Sequence, residues 1–353
     1  MARVAVVLPP REAFSAQGAG AISLLVARLA AAPGSHDVRV FGVTAAEPFA
    51  GIRFVPVRPA LWPGTQAIRY ALAVHRALRT EPAELVEVHN RPDVALFLAR
   101  RRHRVCLILH NDPRGMRGAR TARRRLTIAR RLAGVAAVSA WLRGRFGEGA
   151  SVLPNCIDLR AIPPSPEPRE RAILFAGRIV ADKGADSFAA ACALALPQLP
   201  GWRAEMIGAD RFGADSPDTP FLRRLRPVAA SAGVRLHGWQ PHDAVLAAMA
   251  RAAIVVVPSR WPEPFGLTAL EAMACGAALL YAPRGGLPEV AGSVGIPVDP
   301  EDVPELAAAM VALALDPDRR AALGQAGRSR AAQFDVAAMA ARLDALRDAT
   351  LSA

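Results

Sequence analysis

The sequence predicts an α/β chain made of two parallel-sheet domains, and three observations carry that prediction. The chain has 353 residues, more than one hydrophobic core usually fills, so two domains of about 150 residues each are the natural division. Short apolar runs alternate with amphipathic stretches, the pattern of parallel sheets whose crossovers are helices. Near the middle, Pro154, Pro163, Pro164, Pro166 and Pro168 fall in one stretch. That much proline blocks regular structure and marks an interdomain linker.

In the first half the apolar runs at 4–8, 38–43, 85–88, 105–109 and 135–138 read as strands. In the second half the runs at 173–176, 203–207, 234–236, 254–257 and 278–281 do the same. From residue 303 the chain turns Ala-rich and helical, with helices expected over 303–315, 317–332 and 335–350. Although 52% of residues are apolar, no run reaches the roughly 18 residues that a membrane-spanning helix needs. The apolar part of the N-terminus is too short for a signal peptide, so a cytoplasmic protein is expected. Cys106, Cys156, Cys192 and Cys275 lie scattered, with no CxxC pair and no histidine at metal-ligand spacing. They read as thiols rather than as a zinc site or a disulfide framework.

The formal net charge of +13 is uneven. Residues 1–165 hold 25 arginines against 10 acids, and residues 166–353 hold 18 arginines and one lysine against 21 acids. A uniform compositional bias towards arginine does not produce such an asymmetry. The excess centres on Arg100 to Arg131, where twelve arginines face the single acid Asp112. Density of that kind implies an anionic partner, and a phospholipid surface, a lipid-linked phosphate and nucleic acid all qualify. With Leu126, Ile128 and Leu132 interleaved, the stretch reads as an amphipathic helix lying at an anionic membrane face. Nucleic acid is not expected as a partner, because aromatic residues make up only 5% of the chain and no reader motif is present.

Of 44 basic residues only Lys183 is a lysine. A compact ammonium can touch a phosphate where a planar guanidinium does not fit, so this position points to a discriminating site. It belongs to Ala176-Gly177-Arg178-Ile179-Val180-Ala181-Asp182-Lys183-Gly184, where a strand ends, a glycine turns the chain and two cations follow. Those charges fall at the carboxyl end of a strand, where open α/β sheets bind ligands. A second motif runs from Val257 through Glu263, Pro264, Phe265, Gly266, Leu267, Thr268 and Glu271 to Gly276. A strand leads into a Pro-rich loop, and Gly266 opens a helix whose first amides, at Gly266, Leu267 and Thr268, suit a diphosphate. Glu271 sits one to two turns into that helix among Leu270, Ala272 and Met273, so its carboxylate needs a partner. The two hydroxyls of a ribose would supply one.

The segment from Gly177 to Glu289 resembles the family 4 glycosyltransferases, retaining enzymes of the GT-B fold. The resemblance rests on the turn at 177–184, the pair Glu263 and Glu271 eight residues apart, and Gly285-Gly286-Leu287-Pro288-Glu289. The first half adds Gly18-Ala19-Gly20, Leu109-His110-Asn111-Asp112 and Pro154-Asn155-Cys156-Ile157-Asp158. Gly18-Ala19-Gly20 is not a dinucleotide fingerprint, since the required third glycine is Ser23. The family usually has glycine where Cys156 stands, and a side chain there disfavours a positive φ, so an altered turn is expected.

The resemblance implies an α/β, GT-B architecture of two Rossmann-like domains facing across a cleft. Residues 1–160 would form the acceptor-side domain, 161–333 the donor-nucleotide domain, and 334–353 a helix packing back on the first. Arg178 and Lys183 would hold the donor's phosphates, Glu263 the transferred sugar and Glu271 the ribose, with His110 lining the reacting centre. Gly18, Gly208, Gln240, Phe265, Gly266, Leu267 and Thr268 would complete the donor site. His89 and Asn90 would lie on the acceptor side.

Breaking a glycosyl–phosphate bond builds charge on the leaving diphosphate, and cations with amide donors stabilise it without a metal. No metal and no separate cofactor are therefore expected; the local acids Asp182 and Asp186 flank a lysine in a region already rich in cations. Front-face substitution and a double displacement through Glu263 both remain open.

The expected partners are a nucleotide-sugar donor, UDP- rather than GDP-linked, and a saccharide or lipid-linked acceptor in cell-surface polysaccharide or lipopolysaccharide synthesis. A sugar-nucleotide 2-epimerase shares the two-domain plan. A non-catalytic anionic glycan or nucleic-acid binder would not need Arg178, Lys183, Glu263 and Glu271 together.

Overall fold

Runs of β-branched and aliphatic residues form strands buried on both faces, and these organise the chain into two α/β units. The computed structural model describes residues 1–15, 19–43, 47–59, 64–211 and 216–352. One unit comprises Met1–Cys156 with Phe334–Ala353, the other Ile157–Gln333.

The first unit carries β1 (Arg3–Val7), β2 (Asp37–Gly42), β3 (Phe54–Pro56), β4 (Leu85–His89), β5 (Val105–Leu109), β6 (Gly134–Ala137) and β7 (Ser151–Val152). They pair in the order β3-β2-β1-β4-β5-β6-β7, every pair parallel. The second unit carries β8 (Glu170–Ala176), β9 (Arg203–Ile207), β10 (Val234–Leu236), β11 (Ala252–Val257), β12 (Ala278–Tyr281) and β13 (Ile296–Pro297). Its order is β10-β9-β8-β11-β12-β13, again all parallel. Both sheets reverse direction of strand addition once, between β1 and β4 and between β8 and β11. In open α/β sheets such a reversal opens a crevice at the carboxyl ends of the two strands.

Strands β4, β5, β11 and β12 are buried at every residue, as expected where helices cover both faces. Three strands have no counterpart in the sequence prediction: β3, β7 and β13. Each has only two or three residues at or near a sheet edge, and β3 and β13 end on proline, which cannot donate to a ladder.

The helix Val336–Ser352 packs on the first unit. Val336, Met339, Ala340 and Leu343, spaced at one helical face, are buried with Leu25, Leu29, Ile108, Ala136 and Leu153.

The arginine-rich helix spans Ala122–Arg131, and here the structure corrects the sequence reading. Ile128 is fully buried and Leu132 nearly so, leaving Leu126 as the exposed apolar side chain of the three. Ile128 and Leu132 fall four residues apart on the face turned to the unit's own interior, so they cannot enter a bilayer. Cys156 is buried and is not among the residues with positive φ, so the turn there accommodates its Cβ. Among the described residues no helix is long and apolar enough to cross a membrane.

Candidate functional site

The loops that leave β8 and β11 flank the reversal in the second sheet. After β8 the chain passes Gly177 and Arg178 into a 3-10 turn at Ala181–Lys183. Gly184 follows at φ 70°, where a Cβ would stand 1.9 Å from the Pro258 carbonyl oxygen. Only glycine lets the two loops come so close. The contact is sealed by Trp261 N donating to Asp182 O at 2.9 Å. Arg260 braces the same junction, donating to Asp186 at 2.7 and 3.1 Å, to Ser187 Oγ at 2.7 Å and to Ala181 O at 2.9 Å. Asp186, one of the acids weighed as a metal ligand, is thereby engaged by an arginine.

Across this junction Lys183 Nζ donates to Glu263 Oε1, which also accepts from Ser259 Oγ at 2.8 Å. The Lys183 side chain is a quarter exposed and that of Glu263 13% exposed. An ammonium has three donors, so Lys183 can keep Glu263 and still take an anionic oxygen from the open side. Glu263 is fixed by its backbone as well, through a parallel bridge to Gly285 and a hydrogen bond from Gly286 N at 2.6 Å.

Three residues on, Gly266 caps the helix Leu267–Ala274 at φ 111° with no side-chain cap. The Leu267 and Thr268 amides belong to the first turn, where a helix offers no internal acceptor. Phe265, beside them, is 4% exposed, so its ring is built into the packing. Glu271 has the partner its surroundings demand: Oε1 lies 2.7 Å from His242 Nε2. Gly208 N donates to Gly238 O at 2.8 Å and Gln240 Nε2 to His237 O at 3.2 Å, so the β9 and β10 loops are tied together. Arg178 is half-buried on the β8 loop, its neighbour Ile179 N held by Ala209 O at 3.0 Å.

Residues 160–330 match the family model described as Glycosyl transferases group 1. The match falls within the second unit, Ile157–Gln333. A D-inositol 3-phosphate glycosyltransferase of Thermobispora bispora is 36% identical over 179 residues, 49% of this chain and 42% of that protein. A GDP-mannose-dependent monoacylated alpha-(1-6)-phosphatidylinositol monomannoside mannosyltransferase of Corynebacterium glutamicum is 32% identical over 159 residues, 43% of this chain and 40% of that protein. The chain thus spans less than half the length of these curated relatives. Sucrose-phosphate synthase from Thermosynechococcus elongatus is similar in structure, with a TM-score of 0.81 at 20% identity and 99% of both chains covered. That likeness sets the two Rossmann-like units in the GT-B fold class.

In the first unit β4 ends on His89, and His110 directly follows the neighbouring strand β5. His89 Nδ1 lies 2.9 Å from His110 Nε2, and His89 Nε2 lies 2.9 Å from Glu87 Oε1. Glu87 Oε2 accepts from Arg347 Nε at 2.9 Å. Burial by itself would raise the Glu87 carboxyl, but the Arg347 charge and the hydrogen bonds from His89 and Arg347 outweigh it and hold it down at about 2. Burial, then the neighbouring His89, pushes His110 well below the usual histidine range, against a smaller upward pull from Glu87.

His89 was expected on the acceptor side. Its side chain is 1% exposed with both nitrogens engaged, so it cannot itself touch an acceptor. Asn90 is half-buried and its Oδ1 accepts from the backbone amides of His110 and Asn111, both at 3.1 Å. Gly18 lies outside the described residues.

The residues that sequence reasoning missed are His242, Ser259, Glu87 and Arg347. Glu87 alone left a signal, a carboxylate in the otherwise apolar run Leu85-Val86-Glu87-Val88, where burial requires a charged partner.

Proposed function

We propose that this chain is a retaining, metal-independent glycosyltransferase of the family 4 type. It binds a nucleoside-diphosphate sugar at the β8/β11 reversal and transfers the sugar to an anionic, phosphate-bearing acceptor. One observation carries the reading: the chain's single lysine pairs with Glu263 at that reversal, three residues before the uncapped start of the Gly266 helix. A diphosphate seated on those amides meets the ammonium, and the charge that develops as the sugar leaves is met by groups already in place. Glu263, held by Ser259 and Lys183, then faces the sugar. Glu271, one oxygen fixed by His242, has the other for a ribose hydroxyl.

For the acceptor, the arginine excess of the first half supports an anionic group. The named activities of the two curated relatives, on an inositol phosphate and on a phosphatidylinositol mannoside, favour an acceptor of that kind over lipopolysaccharide. A lipid-linked acceptor would place the protein peripherally at the inner face of the cell membrane.

The test is a thermal-shift screen of nucleoside diphosphates followed by a transfer assay. The expected result is stabilisation by UDP and not GDP, with release of nucleoside diphosphate only when acceptor is added and no loss of rate in EDTA. Release of nucleoside diphosphate without acceptor would favour the 2-epimerase, and no stabilisation by any nucleotide would end the transferase reading.

A further inference from the structure

The buried chain of groups in the first unit runs from Arg347 through Glu87 and His89 to His110, and donor direction can be followed along it. Arg347 Nε–H only donates, and it donates to Glu87 Oε2 at 2.9 Å. Asp344 takes the same guanidinium's Nη1 at 3.2 Å. The ionised carboxylate only accepts, so at Oε1 the proton belongs to His89 Nε2. With His89 taken as neutral, its proton on Nε2 leaves Nδ1 bare. That bare nitrogen faces His110 Nε2 at 2.9 Å, which must then carry a proton. The two rings are within 16° of coplanar with centroids 5.1 Å apart, the geometry of an in-plane N–H···N bond. Among the described residues His110 Nδ1 makes no hydrogen bond, and it is not among the buried atoms left unpaired.

We propose that Arg347, Glu87 and His89 are positioning residues that fix the His110 proton on Nε2, leaving Nδ1 as a hydrogen-bond acceptor for a sugar hydroxyl. A bare imidazole nitrogen takes a hydroxyl and has nothing to offer a phosphate or carboxylate oxygen, so the ligand at this point is the neutral, hydroxyl-bearing part of a substrate. Desolvation keeps His110 neutral and the acceptor available. The helix Val336–Ser352 thereby acts on a side chain it reaches only through two others. The choice of a sugar as ligand rests on the transferase reading; the proton's position does not.

The test is nitrogen-15 NMR of histidine-labelled full-length protein, with His110 assigned by its loss in His110→Asn. Wild type is expected to show His110 neutral at pH 7 and protonated on Nε2. In Glu87→Gln, Arg347 holds the amide oxygen and turns the NH2 towards His89. Each bond down the chain reverses and the His110 proton moves to Nδ1. Transfer should then fall on the order of 10- to 100-fold, with nucleoside-diphosphate binding unchanged. Arg347→Lys, which keeps Glu87 ionised, should keep the Nε2 proton.

Wild-type His110 found as imidazolium, or protonated on Nδ1, overturns the proposal, and this reading needs no variant to fold. Unchanged transfer in a folded Glu87→Gln whose tautomer has reversed overturns the hydroxyl assignment. A wild type with the Nε2 proton in place but no transfer activity defeats the transferase reading and leaves the positioning chain standing.

Discussion

At the scale of single residues, Lys183 was marked by composition alone, and Glu263 by its spacing from Glu271. What composition and spacing do not contain is that the two meet, eighty positions apart, because that depends on how closely two loops approach. The approach is a property of Gly184. With φ at 70° and a virtual Cβ 1.9 Å from the Pro258 carbonyl oxygen, Gly184→Ala must push apart backbone that β11 holds in place. A loss of roughly 3 kcal/mol is expected, read as a fall of about 6–12 °C in the melting of the second unit. Lys183→Ala should behave in the opposite way. Glu263 keeps the Ser259 hydroxyl, so stability falls by only about 1–2 kcal/mol, while kcat drops on the order of 100- to 1000-fold. Lys183→Arg restores the charge but not the compact geometry and should stay below a tenth of wild-type turnover in a steady-state assay. A variant at Lys183 with near wild-type kcat would remove this residue from the reaction. His242, by contrast, left no trace in the sequence: nothing near position 242 says that it faces Glu271 from another helix.

At the scale of elements, the long buried strands were legible because a parallel sheet covered on both faces demands uninterrupted apolar runs. The edge strands β3, β7 and β13 were not, because two or three residues carry no period. The helix Ala122–Arg131 shows a subtler limit. Alternating arginine and aliphatic residues suit either an interfacial helix or a helix packed on its own domain, and only tertiary structure shows that Ile128 is buried. The arginines remain: Arg123, Arg124, Arg130 and Arg131 are all exposed. Arg123 and Arg124 occupy the first turn, which holds no acid, so they oppose the helix dipole and cost the helix a few tenths of a kcal/mol each. Arg130 and Arg131 sit in the last turn and favour the helix by a similar amount, so changing all four arginines to glutamine should leave the melting temperature unchanged. On anionic vesicles at low salt each is worth roughly 1 kcal/mol, so the variant should pellet at least tenfold more weakly in co-sedimentation. With Ile128 and Leu132 turned inward the attraction is electrostatic, and wild-type binding should fade as salt rises. Equal pelleting with neutral and anionic lipid would show that the patch serves no membrane.

At the scale of the whole molecule, the first unit is closed by a segment that returns from the far end of the sequence. Its anchor is the pair Glu87 and Arg347, 260 positions apart and both nearly inaccessible. Glu87 called for a charged partner, but Arg347 did not stand out among 43 arginines, so the pairing was invisible until the fold brought them together. The consequence is an acid-sensitive first unit. The Glu87 carboxyl lies at about 2 in the folded protein against an ordinary 4.5, and a depressed carboxylate contributes stability that is complete above the unfolded value. That contribution, on the order of a few kcal/mol, drains away as pH falls from about 4.5 towards 2. Other acids titrate in the same window, so the informative quantity is a difference. Glu87→Gln should melt well below wild type at pH 7, since Arg347 then keeps a charged partner only in Asp344. The gap between the two proteins should close steadily from pH 4.5 downwards, because wild type loses by protonation what the variant lost by substitution. A gap that stays constant to pH 2.5 in calorimetric melts would mean that the buried carboxylate is not the group whose charge holds the returning helix in place.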